Sequence, residues 1–380
     1  MLFLLAALAC TDADKDSAAD AAELPWSPPD GPGPYDVGFT TLEHVDARGK
    51  TLIIEVWYPA IQEDGVEPDA YEPTILTGDG VRDADPERIG APWPLVAFSH
   101  GFGGIRFQSV FLTERLASHG FVVVAPDHNL NTLLDLDEDA SAQVMLERPD
   151  DIRNAIDHII DLSAADDALL GGMVDGPKED VVYASTGHSF GAVTALTVGG
   201  GELNYQGLLD YCGGGGDSRA CEYLDAIDPS VIYDYGANDP RAQVTIPMSP
   251  GIWYAFGGGG EGLAAVREPT ILGGTLDDVT EYEAEILPTY EYLSSPKTLF
   301  TFADAGHYAF SDICRLAPIL SDECGGVEDG FIDLDRAQYL TNILVTATLG
   351  VQLAGDDRYA PWLEAEAVAE FPEITMDSAR

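Results

Sequence analysis

The chain has 380 residues, 46% of them hydrophobic and 9% aromatic, which is ample for a buried core and unlike a disordered polymer. Its charge is lopsided: 66 acidic residues face 18 Lys and Arg, a formal charge of -48. Such a surface repels phosphate backbones and anionic membranes, so nucleic acid is excluded as an expected partner and neutral or cationic substrates are favoured.

Met1 to Ala9 form an apolar run too short to span a bilayer and ending in small residues, which reads as a signal peptide over 1–9. Leu5-Ala6-Ala7-Leu8-Ala9-Cys10 resembles a bacterial lipobox, in which the Cys is lipidated and becomes the new N-terminus. Ala7 stands where Leu is usual, and no Lys or Arg precedes the run. The expectation is an exported protein, anchored to a membrane only through Cys10 or secreted. Residues 10–34, rich in Asp, Ala and Pro without apolar periodicity, predict a solvated tether. Residues 35–380 read as a single domain.

Within that domain, Phe39 to Val45 and Thr51 to Tyr58 are strand-like runs around Asp46-Ala47-Arg48-Gly49, a hairpin signal. Leu95-Val96-Ala97-Phe98 is a buried strand entering the loop Ser99-His100-Gly101-Phe102-Gly103-Gly104. Phe107 to Ser118 carries apolar residues at helical spacing and ends before Gly120; Phe121 to Ala125 is the next buried strand. Strand, helix, strand is the unit of a parallel sheet. The alternation continues with a helix near Asp150 to Leu162, a strand Val181 to Ala184 and a helix through Ala192 to Thr197. Strands at Val244 to Ile246, Thr270 to Leu272 and Thr298 to Phe302 follow, and Ala337 to Leu353 reads as the closing helix. Insertions are expected between Asn129 and Arg148 and between Gly199 and Gly216. The fold class expected is α/β: a mostly parallel, doubly wound sheet led by antiparallel strands.

Five Cys leave one over, and Cys10 stands apart. Cys212 and Cys221 bracket a Gly-rich loop while Cys314 and Cys324 bracket a short segment, so two local disulfides are the simplest of three connectivities.

Gly187-His188-Ser189-Phe190-Gly191 lies between a predicted strand and a predicted helix, the setting of a nucleophile elbow that lifts a serine hydroxyl clear of the sheet. A serine hydroxyl needs a base, with an acid earlier in the chain. Of the seven His, His44 lies in the hairpin, His119 and His158 in predicted helices, His188 in the elbow, His100 in the Gly loop and His128 after a middle strand. His307 alone follows the final strand, where the base belongs. Asp277, after the preceding strand in Gly274-Thr275-Leu276-Asp277-Asp278, is the expected acid, with Asp278 second. The amides of Phe190 and of Phe102 are the expected oxyanion donors. Met248 and Trp253, with His100, are candidates for a substrate-facing wall, though core packing explains aromatics equally well.

Val56-Trp57-Tyr58-Pro59, Phe98-Ser99-His100-Gly101, Ala125-Pro126-Asp127-His128, Arg148-Pro149-Asp150-Asp151, the elbow, Gly274-Thr275-Leu276-Asp277 and Gly306-His307 together carry a resemblance. The chain, over about Tyr35 to Leu353, resembles the α/β-hydrolase superfamily and, within it, the bacterial predicted dienelactone-hydrolase group. That group is related to platelet-activating factor acetylhydrolases and, distantly, to cutinase-like polyester hydrolases. The resemblance implies a Ser, Asp, His triad with no metal and no organic cofactor, acting on esters with a short acyl group. Two departures stand out. Dienelactone hydrolases use a Cys nucleophile where this chain has Ser189. Some acetylhydrolase relatives draw the acid from the loop after an earlier strand, here Met248-Ser249-Pro250-Gly251, which holds no Asp. The expectation is a serine carboxylic ester hydrolase; a serine peptidase or amidase and a non-catalytic surface lipoprotein are the alternatives.

Overall fold

In the computed structural model, which describes residues 24–63, 65–165, 167–216, 221, 238–316, 324 and 326–380, β5 (Leu95–Ser99) and β6 (Val122–Pro126) are buried at every position. That is the pattern of strands covered on both faces. Their side chains alternate. Val96, Phe98, Val123 and Ala125 point to a core shared with α1 (Val110–Ser118) and the long helix Leu334–Gln352. Leu95, Ala97, Val122 and Val124 point to a second core with Ile152, Ile156 and Ile159 of α2 (Ser141–Ala164). One sheet is thus clamped between two helical layers.

The sheet order is β11-β10-β9-β8-β7-β5-β6-β2-β1-β3, with β4 (Asp85–Pro86) paired to β2. β7 (Tyr183–His188), β8 (Ala242–Met248), β9 (Thr270–Gly274) and β10 (Lys297–Phe302) run parallel with β5 and β6. The antiparallel pair β1 (Asp36–Val45) and β2 (Thr51–Ile61) joins beside β6, and the short β3 (Val81–Arg82) closes that edge. Order in the chain and order in the sheet differ at β5–β6–β7, so the crevice between the diverging connections opens at the carboxyl end of β7.

Four expectations about the elements are corrected. The helix expected near Asp150 starts at Ser141 and runs through Pro149, so the insertion after Asn129 is shorter than its composition suggested. The stretch after Gly199 contains α4 (Tyr205–Gly213), capped by the Asn204 side chain, which accepts from the Gly207 amide. The helix Leu334–Gln352 does not close the chain: β11 (Ile374–Ala379) returns antiparallel to β10 and forms the far edge. Residues 24–34 do not hang free. Trp26 packs edge-on against Tyr359, and the Gly33 amide donates to Ser118 Oγ at the end of α1. The expected signal peptide, Cys10 and the first part of the expected tether lie outside the described residues.

Candidate active site

Ser189 occupies the single position between β7 and α3 (Phe190–Val198), with φ 58° and ψ -121°. Positive φ on a residue bearing a Cβ costs on the order of 1–3 kcal/mol, so neighbours must hold it there. The Ser189 amide donates to the Met248 carbonyl at 2.9 Å, and the Ser189 carbonyl accepts from Ala192 at 2.8 Å. The flanking glycines supply room. A Cβ on Gly191 would sit 1.9 Å from the Ser99 carbonyl oxygen, and one on Gly187 would sit 2.4 Å from that of Gly191. The turn therefore carries the serine on backbone packed too closely for any side chain at either neighbour.

Asp277 and His307 descend from adjacent parallel strands, β9 and β10, and meet beyond their carboxyl ends. His307 Nδ1 lies 2.9 Å from Asp277 Oδ2 and 3.1 Å from Oδ1, both residues being buried. The amides of Val279 and Thr280 donate to Asp277 Oδ1, and Thr280 Oγ1 donates to Oδ2 at 2.7 Å. Burial alone would raise this carboxyl. His307 and the Thr280 bonds outweigh burial and hold it well below the usual carboxylate range. With Nδ1 engaged by a carboxylate, Nε2 is left as the basic nitrogen of the ring. Asp278, the second choice, is exposed.

Gln108 joins these parts, a residue that nothing in its sequence neighbourhood singled out. Its Oε1 accepts from the Gly101 amide at 2.9 Å, while its Nε2 donates to His188 Nδ1 at 2.9 Å. His188 Nε2 in turn donates to the His307 carbonyl at 2.8 Å. Burial, then the nearby His307, pulls the His188 pKa down to about 3, so the ring stays neutral and keeps this tautomer. One amide thus ties the Gly loop, the elbow and the base together. The Phe190 amide, at the first position of α3, has no intrahelical acceptor. The Phe102 and Phe190 rings lie 6.2 Å apart, so the Gly loop and the elbow come together here.

Two candidates for substrate contact are corrected. His100 is fully buried: its Nε2 accepts the His128 amide at 3.1 Å, which leaves Nδ1 to donate to the Gly101 carbonyl. It shapes the loop from within. Met248 is likewise fully buried and belongs to the core beside Leu272 and Phe302. Trp253 is half-exposed, its Nε1 donating to the Ala284 carbonyl, with Tyr292 at 5.1 Å and Tyr254 at 5.6 Å. Glu285 holds this wall by accepting from the Ile252 and Trp253 amides and the Tyr254 hydroxyl, while its Oε2 is buried without a partner. The two disulfides are Cys212–Cys221 and Cys314–Cys324, the local pairing.

A Ser, His, Asp line also lies within the core. Ser99 Oγ is 2.9 Å from His128 Nε2, and His128 Nδ1 is 3.0 Å from Asp151 Oδ2. All three are buried, and Lys50 Nζ closes the line at 2.8 Å from Asp151 Oδ1.

The family model for platelet-activating factor acetylhydrolase, isoform II, matches residues 80–167. The platelet-activating factor acetylhydrolase of Canis lupus familiaris is 30% identical over 124 residues, 26% of this chain and 28% of that protein. That of Cavia porcellus is 29% identical over 126 residues, again 26% and 28%. The match therefore spans under a third of the length of these curated relatives. A ferulic acid esterase from Streptomyces cinnamoneus superposes with a TM-score of 0.57 at 20% identity, covering 90% of this chain and 96% of that one. The chain has the α/β-hydrolase fold. Within this chain the segment that matches the family model holds β5, the Gly loop and the whole of α2, and stops before Ser189. The resemblance read from the sequence is thereby supported, while Ser189, Asp277 and His307 lie outside the matched segment.

Proposed function

We propose that the protein is a serine hydrolase of carboxylic esters. The observation that carries this reading is the pairing of a strained, half-buried Ser189 on a nucleophile elbow with an Asp277–His307 hydrogen bond formed beyond the neighbouring strand ends. Ser189 Oγ attacks the ester carbonyl as His307 Nε2 takes its proton. The amides of Phe102 and Phe190 receive the oxyanion, and Asp277 stabilises the imidazolium. Collapse expels the alcohol, protonated by His307, and leaves an acyl group on Ser189. Water, deprotonated by His307, then releases the acid and restores the hydroxyl. The similarity to acetylhydrolases and to a ferulic acid esterase favours esters with a small acyl group, including phospholipid acetyl esters or polyesters. The charge of -48 favours substrates that are neutral or cationic.

Turnover of p-nitrophenyl acetate and butyrate by the wild type and by Ser189→Ala tests the reading; the variant is expected at the uncatalysed background, and equal rates would refute the mechanism. Export with a lipid on Cys10 is part of the proposal, supported by the apolar run and small residues that precede it. Mass spectrometry of the mature N-terminus decides it: a diacylglyceryl adduct at Cys10 is expected, and an unmodified terminus elsewhere removes the anchor.

A further inference from the structure

Arg148 is among the largest fully buried side chains of the molecule, and its Nε and Nη1 have no hydrogen-bond partner. A sealed guanidinium with two unmet nitrogens costs several kcal/mol, and where only packing is needed an apolar side chain of similar volume serves as well or better. Its contacts are therefore informative. Nη2 donates to the His100 carbonyl, at the base of the Gly loop. Cζ lies 4.6 Å from the centroid of the Phe190 ring, next to the nucleophile. Asp151, one turn along α2, is the nearby opposite charge, but it is already bound by both Lys50 and His128. Burial pulls the guanidinium pKa down to about 9, only partly countered by Asp151, so it is still a cation at neutral pH.

We infer that Arg148 is a positioning residue for the oxyanion hole: it fixes the His100 end of the Gly loop against the Phe190 end of α3 and holds positive charge behind both donor amides. The inference rests on the esterase reading and deepens it. In the resting site no carboxylate among the described residues forms an ion pair with this cation, Asp151 being taken by Lys50 and His128. When the carbonyl oxygen becomes an oxyanion, the nearby positive charge stabilises it in a region that water cannot reorganise, so the cost of burial is offset in the transition state and not before. Arg148 touches neither substrate nor reacting atom; it acts through His100 and Phe190.

The test compares the full-length wild type with Arg148→Met and Arg148→Lys. Kinetics on p-nitrophenyl butyrate are measured beside thermal midpoints and the affinities of a trifluoromethyl ketone, which forms an anionic adduct on serine, and of its non-fluorinated parent. For Arg148→Met we expect kcat at least ~10-fold lower with KM within ~2-fold, a parallel loss for the trifluoromethyl ketone only, and an unchanged or higher midpoint. Arg148→Lys keeps the charge without the fork and is expected between the two; it also serves if the Met variant does not fold. Unchanged kcat in a folded variant, or equal losses for both ketones, overturns the inference while leaving the esterase reading intact. A wild type without turnover overturns both.

Discussion

Asp277 and Asp278 are neighbours with opposite surroundings, one buried against His307 and Thr280, the other exposed. Asp277→Asn keeps the shape but donates where the carboxylate accepted, turning His307 toward the wrong tautomer. kcat on p-nitrophenyl butyrate is expected to fall about 10^4-fold, by analogy with other triads, with KM little changed. The same substitution has a stability signature. The folded-state pKa of Asp277 lies below the value near 3.9 of an unfolded chain, so the carboxylate stabilises the fold above that pH and the contribution fades as pH falls through it. The wild-type advantage over Asp277→Asn in urea midpoint should therefore be full at pH 7 and shrink steadily below about pH 4. An advantage that grows on acidification would contradict the pairing.

At the scale of elements, Glu285 joins the turn Tyr282–Ile286 to the aromatic segment Trp253–Phe256. Burial pushes its carboxyl up to about 7 against the bonds from Ile252, Trp253 and Tyr254. For an acid raised in the folded state, the charged form carries the cost, which is full above the folded pKa and fades as pH falls from there toward the unfolded value of about 4.3. Glu285→Gln, which is always neutral, should raise the thermal midpoint at pH 8, with a gain that shrinks as pH falls below 7 and is gone by about pH 4. The onset of that decline near pH 7 checks the direction of the shift. This clamp was illegible in the sequence, since one Glu among 66 acidic residues carries no pattern. The parallel strands were legible because strands buried on both faces read as apolar runs, and Ser189, Asp277 and His307 could be named from their places after such strands. α4 and β11 were missed for a physical reason. α4 sits in a Gly-rich stretch, and it is held by tertiary contacts such as Tyr211 stacked 3.6 Å from Tyr254. β11, with its polar Thr375, Asp377 and Ser378, is a strand through pairing with β10. His100 and Met248 were misread because residue type and place in the chain do not reveal which way a side chain points.

For the whole molecule, 66 acidic residues against 18 Lys and Arg make self-repulsion a standing cost of compactness. The Debye length falls from about 30 Å at 0.01 M salt to about 3 Å at 1 M, so screening should relieve that repulsion more than it weakens the few ion pairs. The thermal midpoint is expected to climb by at least a few degrees across this range of sodium chloride, and a fall would mean that the ion pairs dominate. The buried line Ser99–His128–Asp151 has a consequence of another kind. The residue types of a hydrolytic site thus recur inside the core, where no substrate reaches Ser99. Ser99 lies within a regular strand under a sealed core, whereas Ser189 is bent out of regular backbone at the mouth of a crevice. In the proposed mechanism reactivity is a property of access and of backbone tension, since the same three residue types recur within a single fold where neither is met.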